Sequence, residues 1–294
     1  MCDEFTAADN ATRAVGAAKG LNRRAFAALG ASAALAGCTV GAKGTAAGGS
    51  DIREGMVSVT TKDGVCDAFF VHPVHGRHPG VIMWPDIAGL REAKKIMART
   101  LAAEGYAVLV VNQYYRSSPA PVLRSFADWR TPEGQARITP MREELTPAAI
   151  TRDAAAFVAF LDGREEVDTT RGIGSNGYCM GGPFTVRSAA AAPERVKAAA
   201  SFHGAGLVSE EPDSPHRLLA KTKASYLFAI ARNDDARQSD QKTQLREAAA
   251  KAGREAEIEV YDADHGWCVP DTPSWDPDEA DRAWKRMLVL FAGL

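Results

Sequence analysis

Nowhere in the 294 residues is there an apolar run long enough to span a bilayer as a mature segment. An integral helical membrane domain is therefore excluded. Neither sign of charge dominates: 35 Lys and Arg face 37 Asp and Glu, for a formal net charge of −2. Nucleic acid and other polyanions are not expected partners. There is no internal repeat, which argues against a solenoid or propeller. A compact set of metal ligands is also missing. His72, His75 and His78 are evenly spaced, but Pro73, Gly76 and Pro79 interrupt them and no Cys or carboxylate completes a set. They read as a surface loop, and no metal is assigned. What remains is a chain with 46% hydrophobic residues, enough for one large α/β domain or two small ones.

Residues 1–50 differ from the rest and are dominated by Ala and Gly. Arg23-Arg24 precedes a mildly apolar run over residues 27–36, which resembles a twin-arginine export signal. Leu35-Ala36-Gly37-Cys38 resembles a bacterial lipobox, in which Cys38 would carry the lipid and anchor the protein to a membrane. Cleavage elsewhere in the Ala-rich run is the alternative. The expectation is a signal segment over 1–37, a flexible linker over 38–50 and an exported domain over 51–294, periplasmic or held on a membrane as a lipoprotein.

Strands and helices alternate through the third segment. Residues 57–60 and 66–71 read as a hairpin turned at Lys62-Asp63-Gly64. Residues 80–84, 106–111, 196–202, 226–231 and 256–261 read as strands, and Gly172-Ile173-Gly174 as the end of another. Trp84 is expected in the core. Helical spacing marks Ala93, Ile96, Met97, Thr100 and Leu101, then residues 148–161, the stretch from Met180 to Ala192, Leu245 with Ala248, Ala249 and Ala252, and a closing helix carrying Trp284, Met287, Leu288 and Phe291. Residues 112–146, with five Arg and several Pro, read as a long loop such as a lid. The pattern predicts an α/β fold, a mostly parallel central sheet with helices on both faces and its site at the carboxyl ends of the strands.

Gly177-Tyr178-Cys179-Met180-Gly181 has the form of a nucleophile elbow with Cys in place of Ser. Such a turn lifts one side chain above the sheet at a helix start, where an anion is favoured. Asp234 and His265 follow at the ends of later strands, giving the order nucleophile, acid, histidine. A thiol needs a base to take its proton, and the base needs a carboxylate to hold its tautomer. Asp235 competes with Asp234, which lies nearer the strand end.

With Asn233-Asp234, His265-Gly266-Trp267, Pro85-Asp86-Ile87-Ala88-Gly89, Tyr115-Arg116 and Ser201-Phe202-His203-Gly204, the chain over residues 51–294 resembles the dienelactone hydrolase family of α/β-hydrolases. The resemblance implies hydrolysis of ester or lactone bonds in a small molecule through a cysteinyl acyl-enzyme, without a cofactor. It implies an oxyanion hole from the backbone N–H groups of Met180 and Ile87. It sets Asp86 where the family's dienelactone enzymes have a Glu that meets the resting Cys, so Asp86 either gates the thiolate or is only a loop acid. It makes Arg116 a grip for a substrate carboxylate, with Val269 near where a second Arg would stand. His203 either lines the pocket or is hydrogen-bonded in its turn, and Trp267 is expected beside the pocket mouth. A Cys66–Cys268 disulfide is left open, since export would expose thiols to oxidation. The rival readings are a Cys-based acyltransferase or peptidase with the same triad, and a non-catalytic or redox-sensing lipoprotein. Sequence does not give the oligomeric state.

Overall fold

Eight strands form one sheet in the order β1-β2-β4-β3-β5-β6-β7-β8. They are seen in a computed structural model that describes residues 51–294. Arg23-Arg24, Cys38 and the linker lie outside the described residues. The strands are β1 (Ile52–Thr61), β2 (Gly64–Pro73), β3 (Gly80–Trp84), β4 (Ala107–Val111), β5 (Ile173–Tyr178), β6 (Val196–Phe202), β7 (Ser225–Ala231) and β8 (Ala256–Tyr261). Only β2 runs antiparallel to its neighbours; β4 through β8 are parallel. The short apolar runs of β3 and β4 are buried throughout, as strands covered on both faces must be.

The helices are α1 (Glu92–Ala103), α2 (Phe126–Trp129), α3 (Pro132–Glu143), α4 (Pro147–Asp162), α5 (Gly182–Ala191), α6 (Pro215–Leu218), α7 (Arg232–Arg237), α8 (Gln241–Ala252) and α9 (Pro277–Phe291). Three of them begin with a capping side chain followed by Pro: Thr131-Pro132, Thr146-Pro147 and Asp276-Pro277. The side-chain oxygen takes an otherwise unpaired N–H, and Pro has none to lose. In α9 the buried Ala280, Ala283, Met287 and Phe291 make the stripe that meets the sheet. Two apolar cores result. One holds Trp84, Phe157, Phe184 and Phe228; the other, across the sheet, holds Met83, Tyr178, Phe202, Tyr261 and Phe291. Burying each such aromatic contributes roughly 1.5–3 kcal/mol.

The structure differs from the sequence reading in several places. Gly172-Ile173-Gly174 opens β5 instead of ending it, because the strand continues to Tyr178. A 3-10 turn, Cys179–Gly181, intervenes before α5 starts at Gly182. His72 is buried in β2, with Nδ1 2.8 Å from its neighbour's carbonyl, so it belongs to the strand. Cys66 and Cys268 are free thiols that belong to opposite cores, which rules out their pairing.

Residues 112–146 are not a bare loop. They contain α2 and α3, whose short length and internal Pro140 hide the helical period. Val122, Leu123, Phe126, Trp129 and Ile138 form a third apolar cluster with Ile87 and Tyr114, and Met180 packs against it. The segment is a cap with its own small core, seated on Ile87 of the loop after β3 and on Met180 of the elbow.

Candidate active site

Strand β5 ends at Tyr178, and Cys179 follows with φ at +54°. L-residues adopt this left-handed conformation at a cost of about 1–3 kcal/mol, a strain found mainly at functional positions. Two glycines make it possible. A Cβ on Gly177 would lie 2.1 Å from the Gly181 carbonyl oxygen, and one on Gly181 would lie 2.6 Å from those of Trp84 and Pro85. The thiol is thus held against the end of β3 at the N-terminal end of α5, with 6% of the residue exposed.

Asp234, in α7, and His265, after β8, meet at the same edge. Asp234 Oδ2 is 2.7 Å from His265 Nδ1. The His265 backbone N–H donates to Asn233 Oδ1 at 2.9 Å, which ties the histidine loop to the end of β7. Asp235 points elsewhere, with its carboxylate oxygens 2.6 and 2.7 Å from Lys242 Nζ. A ring nitrogen of His265, one of His203 and the Cys179 sulfur all lie within 4.8 Å of one another. With Nδ1 engaged by Asp234, Nε2 is the nitrogen through which the His265 ring can take a proton.

His203, at the end of β6, is the second non-glycine residue with positive φ, at +41°. It is 1% exposed, and neither ring nitrogen has a hydrogen-bond partner. The sequence expectation of a turn-bonded ring therefore fails. The ring stands edge-on to His265 at 4.7 Å and to Trp267 at 5.2 Å. Burial, with the nearby His265 and Lys94, pushes it well below the usual range and keeps it neutral. Trp267 is fully buried and stacked on Tyr261, so it backs His203 from behind and is not at a pocket mouth.

Asp86 is also placed differently from expectation. Its Oδ1 accepts from Ala88 N at 2.9 Å and Arg91 Nη1 at 2.8 Å. Its Oδ2 accepts from Arg91 Nη2 at 3.1 Å and pairs with Lys94 Nζ at 2.9 Å. Burial by itself would raise its pKa, but Arg91 and Lys94 outweigh it and hold the carboxyl well below the usual range. A carboxylate so occupied is an anchor for its loop instead of a gate on the thiol. Arg91 also bridges to Asp271, at 2.6 and 2.7 Å. Gln113 Nε2 donates to the Asp86 carbonyl and Tyr114 Oη to that of Ile87, both at 2.8 Å. The loop bearing Ile87 is fixed from every side, and Met180 follows the nucleophile directly.

Arg91, Lys94 and Asp271 were missed in the sequence. One signal was available: Lys94, Met97, Ala98 and Leu101 share the buried stripe of α1, so a lysine sat where an apolar residue belongs. Arg116 is corrected too. Its guanidinium binds both oxygens of Asp153 at 2.8 and 2.9 Å and Asp63 at 2.6 Å, and lies over the Tyr115 ring. It fastens the β1–β2 turn to α4 and has no fork left for a substrate carboxylate.

Known proteins agree with this architecture. A carboxymethylenebutenolidase assignment from Methylorubrum extorquens is 30% identical over 296 residues, covering 98% of each chain. One from Synechocystis is 26% identical and covers 82% of this chain and 97% of its own. The crystal structure of a protein assigned as a dienelactone hydrolase from Klebsiella pneumoniae is 25% identical, with a TM-score of 0.71, over 83% of this chain and all of that one. Residues 66–294 match the model of the dienelactone hydrolase family, and the chain belongs to that family of α/β-hydrolases.

Proposed function

We propose that this domain hydrolyses an ester or lactone bond of a small molecule, with Cys179 as nucleophile, His265 as its base and Asp234 as the group that orients His265. The carrying observation is one arrangement: Asp234 is 2.7 Å from His265 Nδ1, and a nitrogen of the same ring is within 4.8 Å of the strained Cys179 sulfur. His265 takes the thiol proton and the thiolate adds to the carbonyl carbon. The N–H groups of Met180 and Ile87 hold the developing oxyanion. The C–O bond breaks as His265 returns the proton to the leaving oxygen, and water activated by His265 then cleaves the thioester. The relatives' names suggest an unsaturated lactone as substrate. Since Arg116 is committed to Asp153 and Asp63, any carboxylate on that substrate needs another partner.

Rapid quenching during turnover of an aryl ester tests the chemistry. The expected result is an acyl adduct on the peptide containing Cys179, absent in Cys179→Ala; turnover without that adduct overturns the assignment. Export directed by Arg23-Arg24, with lipid on Cys38, completes the proposal and rests on sequence alone. An N-terminus at Cys38 carrying acyl mass, in material isolated from bacterial membranes, is the expected observation.

A further inference from the structure

A buried imidazole with both nitrogens unsatisfied is costly, because it loses its hydration and regains nothing. His203 is such a ring, and one of its nitrogens lies within 4.8 Å of both the Cys179 sulfur and a His265 nitrogen. We propose that Cys179, His203 and His265 form an inhibitory binding site for a thiophilic divalent cation of the zinc type. The inference rests on the hydrolase reading for its consequence, though not for the binding itself.

The donor set selects the metal. One thiolate and two imidazoles suit zinc and cobalt, whereas magnesium and calcium prefer oxygen ligands. Three protein ligands leave a fourth position for water, as in a zinc site with an open coordination place. Metal–sulfur and metal–nitrogen bonds of about 2.3 and 2.0 Å put tetrahedral ligand atoms roughly 3.5 Å apart. The present separations, up to 4.8 Å, require the side chains to close by roughly an ångström, within reach of small rotations. The supporting shell already exists. Asp234 receives the Nδ1–H of His265 and so leaves the Nε2 lone pair facing inward, the carboxylate–histidine pairing that orients metal ligands. Trp267 and Tyr178 flank His203 and keep its ring in place.

Binding is balanced without any redox change. The cation displaces the proton of Cys179, forms one bond to sulfur and two to neutral imidazole nitrogens, and releases one proton to solvent. The same lone pairs are those the hydrolase needs on sulfur and on Nε2, so occupation and turnover are mutually exclusive. The site is hidden in the sequence because its three ligands are far apart in the chain, whereas among the closely spaced histidines His72 and His78 bind carbonyls or Glu166 instead.

The experiment titrates chelator-treated protein with Co²⁺, then displaces it with Zn²⁺. A single equivalent should produce a thiolate-to-cobalt charge-transfer band and tetrahedral visible bands. Zn²⁺ should bleach them, and should slow iodoacetamide labelling of Cys179. Ester turnover should fall along the same binding curve and return with chelator. His203→Phe keeps the buried ring without its nitrogens, and His203→Asn provides a residue that tolerates positive φ. In whichever of the two retains the native melting profile, Zn²⁺ affinity should drop by more than the about 10- to 100-fold that loss of an outer-shell partner causes. Unchanged affinity, a spectrum without a thiolate band, or no binding by the wild type overturns the proposal. Turnover by the chelated wild type would leave the hydrolase reading standing in those cases. Normal metal spectra without turnover would instead sink the hydrolase reading and spare the site.

Discussion

Two polar clusters lie buried side by side at the carboxyl edge of the sheet, and they are built to opposite rules. Around Asp86, three hydrogen-bond donors from Ala88 and Arg91 occupy both carboxylate oxygens, the Lys94 ammonium pairs with one of them at 2.9 Å, and Arg91 continues to Asp271. Around Cys179, two residues sit at positive φ and His203 has no hydrogen bond from either nitrogen. In the first cluster the carboxylate is saturated and fixes a loop. In the second, both His203 nitrogens are left unpaired. A site gains reactivity by leaving groups underpaired, and such strain persists only where the surrounding structure holds it in place.

The largest effect separates the two at once. Cys179→Ala should lower ester turnover by about 10⁴-fold or more, while the melting temperature moves by only a few degrees, since little packing is lost. Wild-type-like turnover would show that the strained cluster is not the reactive one.

Thiol chemistry sharpens the contrast next. Burial pushes Cys66 up to about 12 and Cys268 well above an ordinary thiol. At neutral pH the Cys66 thiolate fraction is then roughly 10³-fold below that of an unperturbed cysteine. Of these three domain cysteines, iodoacetamide should modify Cys179 alone in the folded protein, with activity lost in parallel; Cys66 and Cys268 should react only in denaturant. Equal labelling of all three, read by peptide mass, would refute it.

The saturated cluster should carry stability instead. Asp86→Asn leaves Lys94 buried without a counter-charge, and breaking such a pair costs about 3–5 kcal/mol, or a melting-temperature loss on the order of 10 °C. Activity per folded molecule should fall far less than in Cys179→Ala. The pH dependence has a definite sign. Because the folded carboxyl titrates below its unfolded value, its stabilisation is complete above about pH 4 and fades as pH falls further. The difference in urea midpoint between wild type and Asp86→Asn should therefore shrink from pH 7 to pH 3. A constant difference would mean that the ion pairs do not carry the effect.

How much of this was legible follows from what periodicity and motifs encode. The strands over 80–84 and 196–202 are where their apolar runs place them, because burial on both faces leaves no other reading, whereas the edge strand over 256–261 shows itself by alternation. Gly177-x-Cys179-x-Gly181 exposed the elbow because the backbone contact at each glycine forbids any other residue. The cap was not legible: its helices are short, and their apolar residues answer to Ile87 and Met180 instead of to the sheet. The roles of Asp86, Arg116 and Trp267 were misread for a common reason. A motif records which residue stands at a position, while its role is set by distant partners such as Lys94, Asp153 and Tyr261.

Arg116 is where the comparison is most easily broken, and the expected effect on catalysis is the smallest. It belongs by geometry with the saturated kind of cluster: Asp153 is nearly fully buried, and it receives both Arg116 nitrogens and the Tyr115 hydroxyl. Arg116→Gln removes the charge and leaves Asp153 with Tyr115, so stability should fall by about 1–3 kcal/mol. A guanidinium occupied in this way cannot also grip a ligand, because its bidentate face is spent on Asp153 and Asp63. An acidic ester and its neutral methyl-ester analogue should therefore lose kcat/KM together, with their ratio unchanged within about twofold. The measurement is that ratio in wild type and variant, taken well below either melting temperature. A selective loss on the acidic ester, at the 10-fold level or beyond that a charged hydrogen bond of about 1.5–3 kcal/mol supplies, would mean that substrate draws Arg116 away from Asp153. Arg116 would then move from the structural cluster to the reactive one.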